Sequence, residues 1–164
     1  MTVKSMKSLM SALIVAGVAA AGGIGVAAPA WAAPAGAGPG RCPVGVEREV
    51  CVDLGEQSLR VRQGGKTIFG PVSIRSGRRG HATPDGRFAI QWRDYAHWST
   101  TYDSPMPFSQ FFFGGDAIHG VYDDVHEGPG SYGCVNLEFD DAQRLWRMLR
   151  VGDPVYVSGR KPGT

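Results

Sequence analysis

The chain has 164 residues, 43% of them hydrophobic, with 17 Lys and Arg against 15 Asp and Glu and three cysteines. Two of the cations, Lys4 and Lys7, belong to an export leader, which leaves 15 bases facing 15 acids. That balance gives no electrostatic footprint for a polyanion, so nucleic acid is excluded as a partner; the remaining ~130 residues are enough for one core without a structural metal.

Residues 1–32 read as a signal peptide. Lys4 and Lys7 precede an apolar run from Leu9 to Ala28, and Ala30-Trp31-Ala32 has the small-x-small pattern of a site cleaved after Ala32. The run is also about long enough to span a bilayer, so an uncleaved amino-terminal anchor is the alternative. Either way the rest of the chain is expected outside the cytoplasmic membrane, secreted or cell-wall associated, with no stable membrane span once the signal is removed. Residues 33–49 are an Ala/Gly/Pro-rich linker followed by the start of a loop between Cys42 and Cys51. Pro39-Gly40-Arg41 before Cys42 does not fit lipid attachment.

From Val50 onward, Val52, Leu54, Leu59, Val61, Ile68, Val72 and Ile74 sit among polar residues in short stretches, which predicts strands. Gln63-Gly64-Gly65-Lys66 reads as the turn of a hairpin between Ser58–Arg62 and Thr67–Gly70. A loop from Ser76 to Ala82 and a turn at Thr83-Pro84-Asp85-Gly86-Arg87 lead into a strand over Phe88–Trp92. Residues 93–116 carry Trp98, Tyr102, Phe108 and Phe111 to Phe113, with Pro105 and Pro107 discouraging helix; the aromatics suit either a core cluster or a ligand groove. Phe139 to Leu149 has apolar Ala142, Leu145, Trp146 and Leu149 at helical spacing, acids at its start and Arg147 and Arg150 at its end. Gly152 stops that helix, and Pro154 to Val157 returns as a closing strand. The class is mainly β with one amphipathic helix near the carboxyl terminus.

Three cysteines in an exported chain leave one without a partner. Cys42 and Cys51 are close enough in sequence to close a short loop, worth about 2 to 3 kcal/mol through the unfolded state. Pairing of Cys134 with either of them would instead remove a thiol from use. The unpaired thiol is the starting point for chemistry, because Cys134 follows Ser131-Tyr132-Gly133 and lies downstream of His119-Gly120. A thiol attacks as thiolate, so it needs a proton acceptor in reach, and His119 is the candidate. Glycines at 120 and 133 allow close backbone approach to a substrate, and the amides of Gly133 and Cys134 are candidates for an oxyanion hole. These are the parts of an acyl-transfer site.

The same residues resemble the catalytic domain of the L,D-transpeptidases, exported bacterial enzymes that cross-link peptidoglycan. The resemblance runs over residues 50–158, with 159–164 left as a tail. It is carried by the Gly-Gly-Lys hairpin turn, Pro71-Val72-Ser73 ending in Ser76-Gly77, the Thr83-Pro84-Asp85-Gly86 turn, Ile118-His119-Gly120, Ser131-x-Gly133-Cys134-Val135-Asn136, and the closing helix-Gly-Asp-Pro-Val. It implies packed mixed β-sheets with Cys134 on a loop at the mouth of a groove. It also implies Cys134 as nucleophile and His119 as proton donor and acceptor; the residues around them suggest Gly133, Ser131 and Asn136 as oxyanion or loop support, and Tyr132 and Gly120 at the substrate.

The implied reaction acylates Cys134 with a donor stem peptide, expels the terminal D-alanine, and passes the acyl group to an amine of a second stem, linking two third residues. No metal or organic cofactor takes part, and carbapenem-type β-lactams are possible inhibitors. The alternatives are an L,D-carboxypeptidase on the same stems and a non-catalytic cell-wall-binding module. Tyr132 stands where many members have a histidine, so the substrate side of the site is expected to differ. The intervening Asp123, Asp124, His126 and Glu127 match no familiar zinc spacing and read as a solvated acidic loop; no metal is assigned. His81 and His97 are expected in loops and exposed.

Overall fold

The computed structural model describes residues 42, 43, 45 and 47–164; the expected signal peptide and the segment up to Gly40 lie outside the described residues. Alternating aliphatic and polar residues build the first half of the chain into strands, as a half-buried pleated surface requires. β1 (Glu49–Asp53), β2 (Ser58–Gln63) and β3 (Lys66–Ser73) form an antiparallel meander. Gly64 and Gly65, both at positive φ (57° and 78°), make the β2–β3 turn, a backbone that matches the twist of the strands they join.

β4 (Gly86–Ala89), β5 (Trp92–Ser99), β6 (Ser104–Phe113), β7 (Asp116–Val121), β8 (Val135–Glu138), α1 (Phe139–Met148) and β9 (Pro154–Ser158) complete the domain. Two mixed sheets result, one ordered β3-β2-β1-β9-β4 and the other β5-β6-β7-β8. The pairs β1–β9 and β7–β8 are parallel, and the remaining pairs are antiparallel. The expected strand over Phe88–Trp92 is two strands, because the chain changes sheets at Ile90-Gln91. Ile90 N donates to Asp153 O beside the first sheet, and Gln91 N donates to Phe111 O in the second.

The core lies between the sheets and the helix. Val50, Val52, Leu59, Val61, Val155 and Val157 from one sheet meet Phe108, Phe112, Ile118, Val135 and Leu137 from the other. α1 adds Ala142 and Leu145, and Leu149 just beyond its end is also buried. Its first turn carries Asp140 and Asp141 and its last turn Arg147, each sign opposite to the helix-dipole end it occupies. Gly120 on β7 leaves room for the helix, since a Cβ there would stand 3.0 Å from that of Ala142. Cys42 and Cys51 are bonded, tying the segment before β1 to that strand. Among the described residues no helix is long and apolar enough to cross a membrane.

The period of two in β7 and β8 sorts the candidate residues. Ile118 pairs with Val135 and Gly120 with Leu137, which places Ile118, Val135 and Leu137 in the core. His119 pairs with Asn136 on the opposite face, together with Ala117 and Cys134. The aromatics of residues 93–116 divide in the same way: Phe108, Phe111 and Phe112 are buried, whereas Trp98 and Tyr102 remain about half exposed at 52% and 51%.

Candidate active site

Cys134 is the free thiol, held just ahead of β8 with its sulfur against Met106, Phe111 and Ala117. The Ala117 N–H donates to Sγ at 3.5 Å. Ser131 fixes the loop around it: its hydroxyl donates to Cys134 O at 2.5 Å and accepts from Gly133 N at 3.1 Å. The loop is stitched to the segment after β3 by Arg78 N to Ser131 O at 2.9 Å and Ser131 N to Ser76 O at 3.1 Å. Gly133 has φ 130°, and a Cβ there would overlap the carboxylate of Asp116, so glycine is required by both backbone and space. Burial pushes the Cys134 thiol up to about 11, with the nearby Asp116 carboxylate acting in the same direction and the Ala117 N–H against them.

His119 lies diagonally from Cys134 on the same face of the sheet. Strand spacing and two residues of rise put such Cβ atoms about 8 Å apart. Its ring is buried and both nitrogens are occupied: Nδ1 faces Gly120 O at 2.8 Å and Nε2 faces Asn136 Nδ2 at 2.9 Å. Arg75 sets the direction of these bonds. Its Nε donates to Asn136 Oδ1 at 3.4 Å, which turns the amide nitrogen toward the imidazole. Nδ1 therefore carries the ring proton and Nε2 accepts. Burial pushes His119 down to about 4; the bond to Gly120 O opposes that shift, and the charge of Arg75 adds to it. The resting pair is a neutral thiol and a neutral imidazole with no hydrogen bond between them.

Arg75 also holds the loop after β7, donating from Nη1 to Asp123 Oδ2 at 2.7 Å, Asp124 O at 3.1 Å and Glu127 O at 2.8 Å. That anchor explains most of the acidic loop. His126 Nδ1 faces Asp124 Oδ1 at 2.7 Å, and Glu138 accepts from Val125 N at 3.0 Å, so the Asp124, His126 and Glu138 group is bound up in loop hydrogen bonds.

A cavity of about 550 Å³ opens at Cys134, with Trp92, His97, Tyr102, Asp116 and Tyr132 in its wall. Tyr132 is stacked on Tyr102 at 4.3 Å and edge-on to His81 at 4.7 Å, and the Arg78 guanidinium lies 3.6 Å from its ring centre. Tyr132 thus ties the cysteine loop to the Arg78–His81 loop and to the turn between β5 and β6 around the opening. His81 is exposed, as expected. His97 is not in a loop: it lies on β5, partly buried, with Nδ1 on Asp94 Oδ2 at 3.1 Å.

The structure brings Cys134, His119, Asn136, Ser131, Gly133 and Tyr132 together. Gly120 is a correction: expected at the substrate, it lies under α1, where its missing side chain makes room for the helix. Asp116 and His97 were not singled out from sequence. The spacing Asp94-x-x-His97 was a weak signal for the second, and nothing local marked the first.

The family model for the L,D-transpeptidase catalytic domain, YkuD, matches residues 47–157. The chain belongs to the L,D-transpeptidase catalytic domain family. Among solved structures it is similar to an L,D-transpeptidase from Stackebrandtia nassauensis, with 42% identity and a TM-score of 0.69 over 72% of this chain. The match spans 58% of that chain's length. The Ldtfm–avibactam carbamoyl enzyme is 26% identical with a TM-score of 0.60, covering 69% of this chain and 49% of that one. LdtMt1 in complex with imipenem shares the fold at 19% identity and a TM-score of 0.61, covering 67% of this chain and 58% of that one. No curated protein matches. The mixed-sheet architecture and the single helix near the carboxyl terminus are those of this family.

Proposed function

We propose that the protein is an exported L,D-transpeptidase in which Cys134 is acylated by a peptidoglycan stem peptide and transfers the acyl group to an amine of a second stem. The observation that carries this reading is the free sulfur of Cys134 at a 550 Å³ cavity, on the face of the sheet that it shares with His119. A thioester divides amide exchange into two easier steps and holds the acyl group until an acceptor arrives.

Acylation begins from the neutral pair. As the donor carbonyl engages the sulfur, the thiol proton passes to His119, whose ring must first exchange one of its two present bonds for the thiol. Negative charge then moves from sulfur to carbonyl oxygen, where it needs donors. The Gly133 N–H is taken by Ser131, so the Cys134 N–H is the candidate on this loop. The imidazolium returns its proton to the departing D-alanine amine. The cross-link joins third residues of two stems, and water in place of the amine gives the carboxypeptidase reaction.

An oxidised Cys42–Cys51 pair fits a compartment outside the cytoplasm. β-Lactams are expected to acylate the same sulfur. Incubation with a stem tetrapeptide tests the reading. D-Alanine release with a cross-linked dimer supports transfer, tripeptide alone would make the protein a hydrolase, and no release would remove the reading.

A further inference from the structure

Transfer to an amine makes a demand that acylation does not. The acceptor arrives as an ammonium ion and attacks only after losing a proton. The cavity beside the sulfur holds two groups suited to this that His119 and the cysteine loop leave unused.

Asp116, the first residue of β7, lines the cavity with its carboxylate packed on the Cα of Gly133, one residue from the nucleophile. Burial alone acts on its ionisation, pushing it up to about 6; no cation or hydrogen-bond donor among the described residues compensates it. A half-buried carboxylate without a partner is poorly placed in an empty site and well placed beside a cationic ligand. His97 lies in the same wall. Asp94 holds its Nδ1, Trp92 and Phe111 meet its ring edge-on, and Nε2 has no partner among the described residues. An imidazole with one nitrogen fixed by a carboxylate and the other open is a base of defined tautomer. This differs from His119, whose nitrogens are both occupied.

The geometry points to an acceptor-amine subsite, in which Asp116 receives the ammonium of the second stem beside the Cys134 thioester and His97, oriented by Asp94, takes its proton. The inference rests on the thioester chemistry proposed above. One ammonium proton moves to His97 Nε2 and then to solvent, freeing the nitrogen lone pair. That pair forms the C–N bond to the thioester carbonyl, the C–S bond breaks, and a second proton from the attacking nitrogen goes to the departing sulfur. The products are an amide and the neutral thiol that Cys134 favours at rest. The titratable groups lining the subsite are Asp116 on β7, Tyr102 between β5 and β6, and Tyr132 and Cys134 on the cysteine loop; behind them stand Asp94 on His97, Arg78 over the Tyr132 ring and His119 on β7, and β6 contributes uncharged Met106 and Phe111. The stacked Trp92–Phe111 pair, 3.6 Å between centroids, offers an apolar wall to the methylene stem of the acceptor.

The test compares nucleophiles on the acyl-enzyme formed from a stem tetrapeptide, with wild type, Asp116→Asn and His97→Gln. The acceptors are a stem peptide carrying its cationic amine and methoxyamine, which is already uncharged at neutral pH. Asp116→Asn is expected to lower aminolysis by the cationic acceptor about tenfold through KM, and His97→Gln to lower it about a hundredfold through kcat. With methoxyamine both losses shrink to about twofold or less. Acylation by a β-lactam serves as the check on folding, and Asp116→Asn should speed it, since one charge that disfavours the thiolate is gone. Equal losses with both nucleophiles, or an unchanged ratio of aminolysis to hydrolysis in both variants, would overturn the subsite while leaving the transpeptidase reading intact. Absence of any acyl-enzyme in wild type would overturn both.

Discussion

His119 and His97 stand on the same four-stranded sheet, two strands apart, and their surroundings are opposite. His119 is buried with a hydrogen bond at each nitrogen and the Arg75–Asn136 pair dictating its tautomer. His97 is fixed at one nitrogen by Asp94 and open at the other, at a cavity whose wall also holds an uncompensated carboxylate. Full satisfaction gives the first ring precise placement, and burial gives it low basicity. Partial satisfaction leaves the second ring with one nitrogen open at the cavity. In the reaction proposed above, the first ring meets a thiol that ionises only under a bound substrate and the second meets a charged amine.

The largest expected effect breaks the comparison at its buried end. His119→Gln preserves the size and hydrogen bonding of the site but not its proton chemistry, and β-lactam acylation of Cys134 should fall by about 10²- to 10⁴-fold in stopped-flow assays with an unchanged circular dichroism spectrum at pH 7. Acylation at the wild-type rate would remove His119 from its role.

The same ring sets the acid stability of the fold. An unfolded histidine protonates near pH 6.5, whereas buried His119 resists until about 4, so its contribution is complete above pH 6.5 and lost as pH falls to 4. The loss is about 3 kcal/mol in urea titrations. His119→Gln should flatten that part of the profile, and a wild-type stability that does not change between those pH values would show that the ring is not neutral at rest.

Arg75 sharpens the comparison from outside the site. Its removal frees the loop after β7 and the Asn136 amide together, and Arg75→Met should cost about 2 to 3 kcal/mol of stability. Arg75→Lys should recover little, because an ammonium cannot span those acceptors with the geometry of a guanidinium. Full recovery by lysine would reduce the residue to a surface charge.

The smallest effect belongs to the open end. Asp116 ionises reluctantly, so its charged form opposes folding above about pH 6 and has no such cost below about pH 4. With partial exposure discounted, Asp116→Asn should add about 1 kcal/mol at pH 8 and nothing at pH 4. An equal gain at both values would point to packing in place of charge.

Much of this was legible in the residues. The Gly64-Gly65 turn, the α1 spacing and the Ser131 to Asn136 motif each act within a few residues, where local geometry decides. Sequence distance hid the rest. Ile90-Gln91 interrupts an apparently continuous strand because the chain crosses between sheets there, a choice made by Asp153 and Phe111 far along the chain. Gly120 looked like a substrate contact beside His119, yet the pleat turns its Cα to the opposite face, under Ala142. His97 looked like a loop residue near an aromatic run, and only the pairing of β5 with β6 brings it into the wall of the Cys134 cavity.

The most direct measurement is the intact mass of the non-reduced protein after incubation with a carbapenem, for wild type and Cys134→Ala. The expected result is one covalent adduct on wild type, located at Cys134 by peptide mapping, and none on the variant. An unmodified wild type, or an adduct that survives the loss of Cys134, would contradict the assignment of that sulfur as the nucleophile.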